Sequence, residues 1–247
     1  MKRPIVVLSA LDEELSALMV GGSVVEVGGH RFSVGSIDGV DVVVGAVGVG
    51  KVNAAMVATL ALGRFSPRLV VFTGVAGGVD PALSIGDVVV ADRVVQHDTG
   101  IAGPDGFQPY QPGHLPFFNP TDGSGYRPSH PLLEQVRAAL DGVQFETVFD
   151  RTPDVVFGTV ATGDQFIESE ADRMRIHATF GAQAVEMEGA AVAQVAEHFE
   201  VDCLVIRALS DLAGAGSEVD FERFLSEVSI NSIKVVRALI GAVATAS

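Results

Sequence analysis

Apolar positions in this chain fall mostly in short unbroken runs rather than in polar–apolar alternation. Runs of that kind predict strands buried on both faces. The first is Ile5–Ser9. Asp12–Met19 then reads as a helix whose acidic first turn suits the helix dipole. Val24–Val27, Arg31–Ile37 and Val42–Val47 read as strands joined by Gly-rich turns in hairpins. Lys51–Leu62 is an Ala-rich helix, and Leu69–Thr73 is a strand ending at Gly-Val-Ala-Gly-Gly. Asp87–Val95 is a strand leading to His97 and Asp98. Helix Leu132–Leu140, strand Val155–Ala161, helix Ala171–Phe180, short strand Ala184–Glu186, helix Gly189–Phe199 and strand Cys203–Leu209 follow. An amphipathic helix, Phe221–Val243, closes the chain.

Strands alternating with helices predict an α/β fold with a mixed, mostly parallel central sheet flanked by helices. Neither a linker nor an internal repeat is visible, so residues 1–247 are read as one domain. Ligands in such folds bind beyond the C-terminal strand ends. Glu14, Gly74–Gly78, Phe166 and Asp211 all follow shortly after predicted strands. Gly100–Ser129 is the one long irregular stretch and carries Phe107, Tyr110, His114, Phe117 and Phe118. A loop of that length in a compact domain is functional or interfacial.

Charge narrows the partners. Acidic residues outnumber basic ones 31 to 16, for a net charge of −15. Such a surface repels nucleic acid and anionic membranes. The single cysteine, Cys203, sits in an apolar strand, which rules out an internal disulfide and marks a small core residue in a reducing, cytoplasmic setting. Asp12, Glu13 and Glu14 cut short the apolar N-terminal run, and no small-residue cleavage site follows it, unlike a signal peptide. No uncharged apolar run reaches the roughly 18 residues of a membrane span.

Several familiar motifs are incomplete or absent. Gly45–Lys51 nearly matches a phosphate-binding loop, but Val52 stands where a hydroxyl must hold magnesium. Its expected role is a strand-to-helix turn whose backbone N–H groups face a ligand or water. The histidines lack ligand spacing and one cysteine cannot build a thiolate site, so neither metal nor cofactor is expected. No Gly-x-Ser-x-Gly nucleophile elbow is present.

What survives is an ordered set of segments: Ala10-Leu-Asp-Glu-Glu-Leu, Gly48-Val-Gly-Lys-Val-Asn-Ala-Ala, Thr73-Gly-Val-Ala-Gly-Gly, Ile85-Gly-Asp, His97-Asp98, Gly163-Asp-Gln-Phe-Ile, Val185-Glu-Met-Glu-Gly-Ala-Ala and Arg207-Ala-Leu-Ser-Asp. Together they resemble the 5′-methylthioadenosine/S-adenosylhomocysteine nucleosidases of the nucleoside phosphorylase superfamily. The resemblance implies a nucleoside phosphorylase-like fold and cleavage of a purine N-ribosyl bond through a sugar cation. It implies Asp211 as the general acid at purine N7, a role that needs a carboxyl kept protonated by a dry site. Glu14 is implied as the base that orients the attacking water, and Glu188 as the acceptor of the ribose hydroxyls. Met187 would floor the ribose, Phe166 stack on the purine, and Ile167 read the purine edge through its main chain. Phe221 would line the 5′ pocket. Val49, Ala76, Gly77, Arg207 and Ser210 complete the implied substrate-binding set. The resemblance also implies a homodimer in which the aromatic loop reaches a neighbouring pocket.

Plainer readings stand beside these. Asp211 could cap a helix, and Glu14, Glu186 and Glu188 could be first-turn helix acids. Phe166 could be plain core, Arg207 a structural ion-pair partner, and His97–Asp98 a scaffold hydrogen-bond pair. Asp12, Glu13 and Glu14 together would repel phosphate, and Val75 removes a hydroxyl where such nucleosidases commonly carry Ser or Thr. Both features favour water over phosphate. Futalosine hydrolysis, phosphorolysis and non-catalytic nucleoside binding are the alternatives.

Overall fold

The computed structural model describes residues 3–15, 18, 21–104, 106–214 and 217–245, with positions 219, 220, 222, 223, 226 and 245 described by backbone alone. In chain order the strands are β1 Ile5–Ser9, β2 Gly22–Val27, β3 His30–Ile37, β4 Val40–Ala46, β5 Leu69–Gly78, β6 Val88–Gln96, β7 Gly100–Gly103, β8 Gly106–Pro109, β9 Val155–Thr162, β10 Ala182–Glu186 and β11 Asp202–Asp211. The helices are α1 Lys51–Phe65, α2 His130–Ala139, α3 Glu170–Phe180, α4 Gly189–His198 and α5 Ser217–Thr245.

Nine strands form one sheet in the order β10-β9-β6-β11-β5-β1-β4-β3-β2. It is mixed, and its parallel pairings form two opposed blocks. β11, β5, β1 and β4 run one way. β6, β9 and β10 run the other way, with β6 antiparallel to β11. β10 also pairs antiparallel with β5, Val185 facing Gly77, so strands 5, 11, 6, 9 and 10 close into a ring.

The doubly apolar runs explain the layers. In β1, Val6 and Leu8 face one core with α1 and α4, while Ile5 and Val7 face the other with α2 and α5. β5 repeats this, with Val70 and Phe72 on the first side and Leu69 and Val71 on the second. Period-two alternation between two apolar faces leaves no polar register. Each such buried side chain contributes roughly 1.5–3 kcal/mol.

Three expectations change. The predicted helix Asp12–Met19 is a 3-10 turn over Glu13–Leu15, and most of the remainder lies outside the described residues. The run Gly74–Gly78, expected to follow the strand Leu69–Thr73, continues β5 because β11 pairs along it and β10 pairs with its end. The segment Gly100–Ser129 begins with the β7–β8 hairpin, and Tyr126 ties its far end to Val94. The remaining predicted elements form within a few residues of their expected limits.

Candidate active site

One cavity of about 240 Å³ opens where the C-terminal ends of β5 and β11 meet the end of β10. Glu14, Glu188 and Asp211 all line it. Val49, Ala76, Gly77, Phe166, Ile167, Met187, Ser210 and Phe221 line it too. Val75, where the hydroxyl of related nucleosidases is missing, lines it as well, and Leu11, Gln165 and Glu186, which were not assigned to the substrate, also stand on this wall.

Asp211 reaches the cavity through a register shift. Leu209 pairs with Ala76 and Asp211 pairs with Gly77, so Ser210 is an extra residue in β11. A bulge of this kind re-aims side chains. Here it leaves both Ser210 and Asp211 buried on the cavity wall. The Ser210 hydroxyl donates to Asp211 Oδ2 at 3.0 Å, and Ala213 N–H donates to Oδ1 at 2.8 Å. Asp211 closes a strand rather than capping a helix.

Glu14 sits in the turn after β1, turned inward, while Asp12 and Glu13 are exposed. Only one of the three acids therefore faces the cavity. Its carboxylate accepts from Leu11 N–H at 2.9 Å and Val75 N–H at 2.8 Å. Burial pushes its pKa up, against the pull of Arg207 and of these amides. The side chain at Val75 is apolar, yet its main chain still holds Glu14.

Glu188 lies just before α4, where its carboxylate accepts from Gly50 N–H at 2.7 Å. Burial, and then the Glu186 charge, push it up to about 7, with Arg207 opposing. The adjacent Lys51 N–H donates to Asp164 Oδ1 at 2.8 Å. The loop that resembles a phosphate site thus aims its amides at protein carboxylates. Phe166 is 48% exposed and meets Phe221 edge to face at 6.0 Å, so it belongs to the cavity rim and not to the core.

Arg207 does not line the cavity. It lies fully buried behind it, ion-paired to Glu186, with Glu188 Oε2 3.7 Å from Nη2. It acts here as an ion-pair partner rather than a wall residue. Glu186 also takes the first-turn role, accepting from the N–H groups of Glu188 and Gly189. The His97–Asp98 pair does not form. Asp98 binds Lys51 Nζ at 2.6 Å, and neither ring nitrogen of His97 has a partner among the described residues. Burial pushes the His97 pKa down and keeps the ring neutral.

Comparison with known proteins gives the family and the fold. The model of the phosphorylase superfamily matches residues 4–241. A 5′-methylthioadenosine/S-adenosylhomocysteine nucleosidase from Mycobacterium tuberculosis is 46% identical over 243 residues, covering 95% of each chain. The chain belongs to this nucleosidase family. A solved family structure from Helicobacter pylori, bound to butyl-thio-DADMe-Immucillin-A, superposes with a TM-score of 0.84 at 27% identity, covering 98% of this chain and 99% of its own. Futalosine hydrolase from Helicobacter pylori superposes with a TM-score of 0.83 at 27% identity, covering 97% of each. The family's fold is the one described above, a mixed sheet between two helical layers.

Proposed function

We propose that the protein hydrolyses the N-glycosidic bond of 5′-methylthioadenosine and S-adenosylhomocysteine, releasing adenine. The observation that carries this reading is the convergence of Glu14, Glu188 and Asp211 on one cavity. Two carboxyl groups with separate acid and base tasks are what glycosidic cleavage requires. In this reading the bond between the ribose anomeric carbon and the purine breaks, and its electron pair goes to the base. Asp211 gives its proton to purine N7. Water adds to the sugar cation and yields a proton to Glu14, whose desolvation makes it the more basic. Glu188 accepts from the ribose hydroxyls and its charge favours the cation. Met187 floors the ribose, and Phe166 with Ile167 holds the purine. Phe221 lines the 5′ end.

Water is favoured over phosphate by the charges around the site. Among the described residues, Glu14, Glu186 and Glu188 face the Arg207 guanidinium, which is already committed to Glu186, so none of the described cations near the cavity is left for a dianion. A futalosine reading is supported by the equally good superposition on that hydrolase. The exposed Phe117 and Phe118, at 78% and 82%, support a homodimer.

The test is base release from methylthioadenosine, adenosylhomocysteine, futalosine and inosine, with and without phosphate. Adenine should appear from the first two at the same rate in both buffers. Asp211→Asn should lose about 10²- to 10⁴-fold in kcat while still binding substrate. A phosphate requirement, or near-normal turnover in that variant, overturns the assignment.

A further inference from the structure

We infer that Glu186 and Thr162 are positioning residues for Glu188: Thr162 holds Glu186, and Glu186 takes the Arg207 guanidinium, which leaves the Glu188 carboxylate open to the ribose. The inference rests on the reading that Glu188 binds the ribose hydroxyls.

The side-chain oxygens of Thr162 and Glu186 are all engaged within the protein. The Thr162 hydroxyl, at the end of β9, donates to Glu186 Oε1 and accepts from Ala190 N–H at 2.8 Å. A hydroxyl has one proton, so this pair of contacts sets its direction. Glu186 Oε2 accepts from Glu188 N–H at 3.1 Å, from Gly189 N–H at 2.7 Å and from Arg207 Nη2. Glu186 thus pins the backbone of Glu188 and competes for the cation beside it. Thr162 and Arg207 are fully buried, and Glu186 nearly so.

Besides its attraction to Glu14, Arg207 has few other holds. Its Nε has no partner among the described residues, and its guanidinium lies over the Phe72 ring at 4.4 Å. The next carboxylate within reach of Nη2 is Glu188, at 3.7 Å. Removing the Glu186 charge therefore releases the guanidinium towards Glu188 and occupies the oxygen meant for substrate. The charged groups facing Glu188 are Glu186 on its own segment, Arg207 on β11 and Glu14 on the turn after β1, with Gly50 N–H from the α1 turn. Losing one negative neighbour and gaining a closer cation both favour its ionised form.

The test compares Glu186→Gln, Thr162→Val and Thr162→Ser with wild type, using methylthioadenosine, kcat, KM and the pH profile of kcat/KM. Glu188→Gln serves as the control on the underlying reading. Glu186→Gln should raise KM about tenfold, more than it lowers kcat, because the ribose contact exists in ground and transition states alike. Its acidic limb, which reports the free enzyme, should move down by about one pH unit. Thr162→Val keeps the charge, so its limb should stay in place while KM rises about fivefold, and Thr162→Ser should restore KM. A wild-type acidic limb in Glu186→Gln overturns the inference. So does a Thr162→Ser variant no better than Thr162→Val, a result that stands even if Glu186→Gln fails to fold. Near-normal kinetics in Glu188→Gln would instead overturn the ribose reading itself.

Discussion

The carboxylates of this site depend on glycines that carry no chemistry. At Gly74, with φ +151, a Cβ would lie 2.3 Å from Glu14 Oε1 and 2.4 Å from Arg207 Nη1. At Gly77 it would lie 2.8 Å from Asp211 Oδ1. Gly74→Ala should therefore displace Glu14 and cost about 10²-fold in kcat, since a shift near 1 Å suffices for that; steady-state kinetics on the folded variant checks it. A second expectation concerns Glu188. Its folded pKa is raised to about 7 from 4.5, so its contribution to stability is present below pH 4.5 and is lost as pH rises through 7. Glu188→Gln removes this loss and keeps an acceptor for Gly50 N–H. Denaturant melts should show the variant gaining on wild type by about 3 kcal/mol between pH 4 and pH 8. A pH-independent difference would show that Glu188 titrates normally in the fold.

At the scale of elements, α1 is the instructive one. Its N-cap residue, Gly50, offers no side chain, and the first amides are capped instead by Glu188 and Asp164 from distant segments. By contrast, α2 and α3 begin at Ser129 and Ser169, whose hydroxyls cap their own helices. The missing local cap on α1 is therefore supplied by the site. Asp164→Ala should lower the melting temperature by about 2–4 °C, the cost of a lost cap in a chain of this size. It should also raise KM, because Asp164 belongs to the loop that carries Phe166 and Ile167. Thermal melts and substrate titration on one preparation test both. The Ala-rich periodicity of α1 was readable along the chain, but its trans cap was not, since Glu188 lies 138 positions from Gly50.

At the scale of the whole molecule, the exposed Phe117 and Phe118 follow the β7–β8 hairpin, far in sequence from the carboxylates. If they form the surface between two copies, Phe117→Glu with Phe118→Glu should shift sedimentation from dimer to monomer; an unchanged monomer in wild type would dismiss that surface. The fold was legible where apolar runs were long. β1, β4, β5, β6 and β11 all carry hydrophobic residues towards both layers, the pattern of strands buried on both faces. The strand was read as ending at Thr73 because glycine is a poor strand former, whereas pairing partners on both sides extend it through Gly74–Gly78. The acids after β1 misled in the same way, since acidic residues suit a helix start and here form only a 3-10 turn.

Local chemistry along the chain determined the layers, the buried strands and which carboxylates belong to the family's pattern. These follow from hydrophobic periodicity and from motif order, both carried by near neighbours. Tertiary structure alone decided the ring closed by β10 on β5, the bulge at Ser210 that turns Asp211 inward, and the Glu186 pairing that puts Arg207 behind the wall. Each depends on groups far apart in sequence meeting in a dry interior, where burial and charge pairing, rather than local propensity, set which side chain faces the cavity.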